Sequence, residues 1–410
     1  MKHFEVPNIY RSELISTIKS SRKQQDKLKR DFFPTLLDFG PLHIYLARHF
    51  GFCYGVENAI DIAFKTIEQN QGKKIYLLSE MIHNPHVNAD LIEKGIIFLQ
   101  DTYGKQLIPF EEITKDDIVL IPAFGTTLDI EEILKAKGLS IEKYNTACPF
   151  VEKVWNRSEQ IAQKGYSIVI HGKPKHEETR ATFSHASVHT PAIVINDMKE
   201  AIELGKYIKQ EKSKDEFYEQ FKGQYSKGFD ISKDLQRIGV VNQTTQLATD
   251  TQAISDYLRN VMIEYYNLNE SNIQQRFADT KDTLCYATND NQMAVISMLE
   301  TDADLAIVIG GYNSSNTSHL VELCERKLPT YFIDSAEKLI NKEEIITCNW
   351  RTKEQSTIKN YLPNNKQPIK VIITSGASCP DSLVEKVIVK LTTFFNCTTT
   401  VDEITESFCE

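Results

Sequence analysis

Three cysteines carry the chemistry that this chain's spacing allows. Cys53 in HFGFCYGVENAI, Cys148 in KYNTACPFVEKVW and Cys285 in KDTLCYATNDNQMAV each stand between an apolar strand-like run and a helix-like run. Their separations, 148 − 53 = 95 and 285 − 148 = 137 residues, are far longer than the C-x2-C spacings of zinc fingers and bacterial ferredoxins. A shared ligand therefore requires separate lobes to bring them together. Two readings stand at this point. They are three buried thiols, or they are three thiolates on an iron–sulfur cluster with one iron left open to a substrate oxygen.

Polar residues follow the strand-like runs in a set. After KKIYLLSE comes Met81-Ile82-His83-Asn84, and after DDIVLIPA comes Phe124-Gly125-Thr126-Thr127. After YSIVIHG come Lys175, His176, Glu177 and Glu178, and after RIGVV come Asn242, Gln243, Thr244 and Thr245. After DLAIVIGG comes Tyr312-Asn313-Ser314-Ser315-Asn316, and after IKVIITS comes Gly376-Ala377-Ser378. Hydroxyls, amides and backbone N–H groups at helix starts suit a small phosphate or carboxylate ligand, although each Ser, Thr or Asn alone also serves as a helix N-cap. Glu178, two residues after His176, is either a proton donor or an ordinary surface carboxylate, and His83 and His176 either bind the ligand or are satisfied structural histidines. His86, His171, His185, His189 and His319 read as structural histidines, and Cys324 and Cys397 as small buried hydrophobes.

Alternating strand and helix patterns at this spacing predict an α/β fold with small parallel sheets. At 410 residues the chain exceeds one growing core. We divide it into a helical arm (1–41) and lobes at 42–147, 148–284 and 285–410, with a charged surface insertion at 206–236 in the second. LSIEKYN before Cys148 reads as a strand. A net charge of −9 gives no footprint for nucleic acid, and the basic run at 20–30 reads as a solvated face. No apolar run is long enough for a membrane, and no leader pattern opens the chain, which points to the cytoplasm. G-x-G-x-x-G after a strand is absent, so electrons for any redox step come from outside.

Taken together, the motifs G-F-C-x-G-V at Gly51, I-H-N at His83, T-x-C-P-x-V at Cys148, H-x-E at His176, Q-T-T at Gln243, C-Y-A-T-x-x-x-Q at Cys285, N-S-S-N at Asn313 and G-A-S-x-P-D at Gly376 resemble the LytB/IspH family of 4-hydroxy-3-methylbut-2-enyl diphosphate reductases. The likeness covers roughly residues 43–395. It implies three lobes in a pseudo-threefold trefoil around a central [4Fe–4S] cluster held by Cys53, Cys148 and Cys285. The implied reaction is two-electron reductive dehydroxylation of the allylic diphosphate to isopentenyl and dimethylallyl diphosphates, the last step of the non-mevalonate isoprenoid pathway, with ferredoxin or flavodoxin as donor. By position, His83, His176, Ser314, Ser315, Asn316 and Ser378 would bind the diphosphate. Thr244 and Glu178 would contact the substrate hydroxyl, with Glu178 the proton donor and His176 beside it. Phe124 stands where the family commonly has a third histidine, so Thr126, Thr127 or Lys175 would replace that contact or it is absent. Cys379 is expected to be a spare thiol. The rival readings are a non-redox hydro-lyase and a regulatory protein without turnover. The arm and the insertion have no counterpart in the resemblance.

Overall fold

A computed structural model of the chain describes residues 4–28, 30–278, 283–364 and 366–409. The chain forms two compact units, one of Met1–Asp61, Ile82–Asp90 and Tyr286–Glu410, the other of Ile62–Met81 and Leu91–Cys285.

The first unit is built on a five-stranded sheet of β1 (Thr35–Asp38), β2 (Leu42–Leu46), β9 (Leu305–Ile309), β10 (Thr330–Ile333) and β13 (Ile369–Ser375), in the order β1-β2-β13-β9-β10. β13 lies parallel to both β2 and β9, with Val371 opposite Ile44 on one side and Leu305 on the other. The LAIVI of β9 is buried throughout, the signature of a strand covered on both faces. Helices α11 (Tyr286–Met298), α12 (Ser315–Glu325) and α13 (Asp381–Thr392) bury apolar faces in this unit. Sequence order puts LHIYL at the head of the α/β pattern, yet it hydrogen-bonds to a strand from the far end of the chain. A hairpin of β11 (Glu344–Cys348) and β12 (Gln355–Lys359) was not foreseen, because the exposed QSTIK of β12 has no apolar alternation.

The N-terminal arm contains α1 (Glu13–Gln25), capped by the Ser12 hydroxyl, but it ends in β1, which pairs antiparallel with β2. It is docked through both side chains and backbone. Tyr10 donates to Asp90 at 2.7 Å, the Glu5 N–H donates to Asp61 at 3.1 Å, and Lys19 bonds Asp381 at 2.8 and 3.0 Å. A helical arm is therefore an incomplete description, since the TLLD strand completes the sheet edge.

The second unit holds two three-stranded parallel sheets. One is β4-β3-β5, from β3 (Ile75–Leu77), β4 (Ile96–Phe98) and β5 (Ile118–Leu120). The other is β7-β6-β8, from β6 (Ser167–His171), β7 (Ala192–Ile195) and β8 (Ile238–Asn242). The helices α4 (Leu128–Ala136), α5 (Pro149–Ala162), α6 (Glu177–Ser187), α7 (Met198–Ile208) and α10 (Ala248–Tyr266) connect or flank these strands. Helices α2 (Tyr54–Gln69) and α3 (Pro85–Glu93) begin among first-unit residues and end among second-unit ones. LSIEKYN is not a strand. It forms a 3-10 turn over Ile141–Tyr144 with one parallel bridge from Asn145 to Ile121. Leu139 and Ile141 reach the same core as Val119 from that turn, so the two-residue apolar spacing needs no ladder.

The expected surface insertion at 206–236 is corrected more sharply. It holds the end of α7 and two short helices, α8 (Lys214–Gln220) and α9 (Ile231–Asp234). Phe217, Phe221, Phe229, Ile231 and Leu235 are buried in one cluster with Val169, Ile193, Ile238 and Leu258. Helices of 7 and 4 residues are too short to show a 3.6-residue stripe, so the aromatic scatter hides a core.

Candidate functional site

Each parallel sheet delivers one cysteine near its carboxyl edge, and the same local device holds all three. The Cys53 N–H donates to the Ala377 carbonyl at 3.2 Å, in the turn after β13. The Cys148 N–H donates to Ala123 at 2.9 Å, in the turn after β5. The Cys285 N–H donates to Thr244 at 3.4 Å, in the turn after β8. Each cysteine immediately precedes a helix, namely α2, α5 and α11. The partial positive charge of a helix start favours the thiolate, the form that binds metal. Cys379 differs. It is fully buried, and burial raises its thiol pKa well above the usual cysteine range, which keeps it protonated.

In the first unit the neighbouring strands β2, β13 and β9 bring Cys53, Ser378 and Ser314–Asn316 to one sheet edge. Carboxyl edges of parallel sheets are where α/β folds bind ligands. Ser314 caps α12, its hydroxyl oxygen accepting from the Thr317 N–H at 3.2 Å while its own O–H stays available to donate. Asn316 Oδ1 accepts from the Ala377 N–H at 2.9 Å, which fixes the amide orientation and leaves Nδ2 as a donor. Ser315 Oγ, Asn316 Nδ2 and Thr317 Oγ1 are buried without a hydrogen-bond partner, on residues no more than 3% exposed. Three such groups in one helical turn carry a cost that a bound anion would offset. The Ser378 hydroxyl donates to the His83 carbonyl at 3.1 Å. Gly311 lets that carbonyl approach, since a Cβ there would stand 2.2 Å from the oxygen. Thr317 was missed in the sequence. Its signal is Gly376, where a Cβ would lie 2.0 Å from the Thr317 Oγ1.

In the second unit the pairing of His171 with Asn242 sets the turns after β6 and β8 side by side. Glu178, 1% exposed, accepts from the Thr244 N–H at 2.5 Å through Oε1. His176 caps α6, its Nδ1 accepting from the Glu178 N–H at 3.2 Å, so the neutral ring carries its proton on Nε2. Gln243 ties the turns together through Oε1, which accepts from the Lys173 N–H at 3.2 Å, the Thr179 hydroxyl at 3.0 Å and the Gln246 amide at 3.1 Å. Phe124, at the expected histidine position, packs its ring edge-to-face on His176 at 5.6 Å between centroids. It supports that imidazole sterically and donates nothing. Thr126 is engaged through its carbonyl, 3.3 Å from His185 Nε2. The contact series therefore runs from Cys148 through Ala123 and Phe124 to His176, Glu178, Thr244 and Cys285.

The site residues thus fall into two sets, each internally connected. Cys53, His83, Ser314, Ser315, Asn316 and Ser378 belong to the first unit, and Cys148, His176, Glu178, Thr244 and Cys285 to the second.

A family model described as LytB protein matches residues 44–392. A protein of Picosynechococcus sp. named 4-hydroxy-3-methylbut-2-enyl diphosphate reductase is 39% identical over 383 residues, covering 93% of this chain and 89% of its own. One of the same name from Crocosphaera subtropica is 39% identical over 385 residues, with 93% and 89% covered. Among solved structures, the one titled as (E)-4-hydroxy-3-methyl-but-2-enyl diphosphate reductase, the terminal enzyme of the non-mevalonate pathway, superposes with TM-score 0.51 at 25% identity, covering 85% of this chain and 99% of that one. The Plasmodium falciparum structure titled as E-1-hydroxy-2-methyl-but-2-enyl-4-diphosphate reductase shares the fold with TM-score 0.60 at 23% identity, covering 84% and 86%.

Proposed function

The chain belongs to the LytB protein family, and from that premise we propose that it is a 4-hydroxy-3-methylbut-2-enyl diphosphate reductase, an oxidoreductase closing the non-mevalonate isoprenoid pathway. The observation that carries the reading is the buried Glu178 carboxyl held on the Thr244 N–H, in a turn that also anchors Cys285. It is a proton-transfer group beside a cysteine that a metal centre would use.

The allylic alcohol diphosphate takes up two electrons and two protons. One proton leaves with the hydroxyl as water, and the other forms the new C–H bond of isopentenyl or dimethylallyl diphosphate. Cys53, Cys148 and Cys285 would hold a [4Fe–4S] cluster with one open iron. The three repeated cysteine turns, each at a helix start, suit thiolate ligands. When bound, the cluster supplies electrons and a Lewis-acid iron. Glu178 gives the proton to the leaving hydroxyl, and Thr244 orients that hydroxyl from its place beside the carboxyl. His176 presents its Nε2–H to the diphosphate, with its ring held by Phe124. His83, Ser314, Ser315, Asn316 and Ser378 supply the neutral donors of the cradle. One cysteine per sheet supports the three-lobed, pseudo-threefold arrangement, with the 42–61 stretch belonging to the sheet of the 285–410 lobe rather than to the lobe expected at 42–147. Without a nicotinamide fingerprint, ferredoxin or flavodoxin delivers the electrons. No described helix is long and apolar enough to cross a membrane, and the reading places the enzyme in the cytoplasm.

The test is an anaerobic assay of the reconstituted protein with the allylic diphosphate. Product is expected only when a reductant is supplied. Glu178→Ala should lose roughly 100-fold or more in turnover with the cluster chromophore intact. Product without reductant would instead favour a hydro-lyase, and cluster without any product a regulatory protein.

A further inference from the structure

The hairpin loop between β11 and β12 reaches back to α12. Asn349 Oδ1 accepts from the N–H groups of Arg351 at 2.8 Å and Thr352 at 3.1 Å, and the Asn349 carbonyl accepts from Lys353 at 2.8 Å. Trp350 Nε1 donates to Glu325 at 2.9 Å, fastening the loop to the last turn of α12. Lys353 has φ +64°, a left-handed conformation that Gly or Asn adopts with least strain. A lysine there keeps the strain together with its side chain. Its Nζ donates to the Tyr312 carbonyl at 2.7 Å and to the Ser318 hydroxyl at 3.2 Å. The ammonium thus bridges the residues on either side of Asn313–Thr317.

Two features make this contact more than a loop anchor. A cation beside the start of α12 opposes the helix dipole, which favours negative charge there. The same turn carries the unpartnered buried groups Ser315 Oγ, Asn316 Nδ2 and Thr317 Oγ1. An anion on those groups would satisfy both. We propose that Lys353 is a positioning residue of the diphosphate cradle, clasping the Tyr312–Ser318 stretch and adding positive charge beside the bound anion. The inference rests on the diphosphate reading above and assigns to a hairpin outside the recognised motifs a part in substrate affinity.

The test compares full-length, cluster-reconstituted wild type with Lys353→Asn, Lys353→Gln and Lys353→Arg. It measures KM and kcat with the allylic diphosphate, calorimetric binding of inorganic pyrophosphate, and Tm. Loss of a charged hydrogen bond predicts that the Asn and Gln variants raise KM and the pyrophosphate Kd about tenfold or more. Their kcat should stay within about twofold, and Lys353→Arg should retain most of the affinity. Lys353→Asn should keep or raise Tm, because Asn tolerates the left-handed backbone, so weakened binding cannot be charged to unfolding. Asn and Gln variants that match wild type in KM and Kd, or that lose kcat alone, overturn the inference. Wild type that neither turns over the diphosphate nor binds pyrophosphate overturns the functional reading and this inference with it.

Discussion

Asn316 and Ala377, 61 residues apart, join the start of α12 to the turn after β13, the side-chain carbonyl of one accepting the backbone N–H of the other at 2.9 Å. The Ala377 carbonyl in turn accepts the Cys53 N–H at 3.2 Å, so one residue links the Asn316 amide to the Cys53 turn. Asn316→Asp keeps an acceptor for Ala377 but replaces the Nδ2 donor with a carboxylate oxygen that repels phosphate. Pyrophosphate affinity should fall about 10- to 100-fold with iron content unchanged. Asn316→Leu removes both functions and should lower iron retention as well. Calorimetry and iron analysis separate the two variants.

The ligand choice among the cysteines has its own test. Cys53, Cys148 and Cys285 each follow a tethered turn at a helix start, whereas Cys379 is a neutral thiol sealed in the core and 3.7 Å from the Pro380 carbonyl. Protonated thiols are poor metal ligands. Cys53→Ser, Cys148→Ser and Cys285→Ser should each lose iron and acid-labile sulfide. Cys379→Ser should keep both, since it places a hydroxyl where a carbonyl can accept from it. Equal loss in all four would discredit the assignment.

The turns that carry the candidate residues were legible in the sequence because strand ends and helix starts leave strong local signals, as apolar runs that stop at Asn, Ser, Thr or Gly. Ser314, His176 and Thr244 all lie on turns that such runs predict. What stayed hidden depends on long-range pairing. Nothing in LHIYL says that Ile44 faces Val371 rather than a strand nearer in sequence. Nothing in residues 206–236 says that the Phe217 and Phe229 rings stack 5.8 Å apart inside a core. Phe124 was legible as a departure from the family pattern, but its packing on His176 depends on two turns far apart in sequence meeting in the fold.

The arm gives the last prediction. Tyr10, 4% exposed, donates to Asp90 at 2.7 Å and sets its ring 5.8 Å from Phe52, the residue before Cys53, while Phe4 packs on Tyr54 at 4.9 Å. Burial, and then the Asp90 carboxylate, raise the Tyr10 phenol well above the ordinary value of about 10, so it stays a donor across working pH. The folded state holds this proton more tightly than the unfolded chain does. The contribution is therefore complete below pH about 10 and is lost as pH climbs above it. Tyr10→Phe keeps the ring and removes the hydroxyl. It should cost about 1 to 2 kcal/mol in urea unfolding at neutral pH and flatten the alkaline fall in stability. An unchanged alkaline slope in Tyr10→Phe would show that the hydrogen bond to Asp90 does not hold the arm in place.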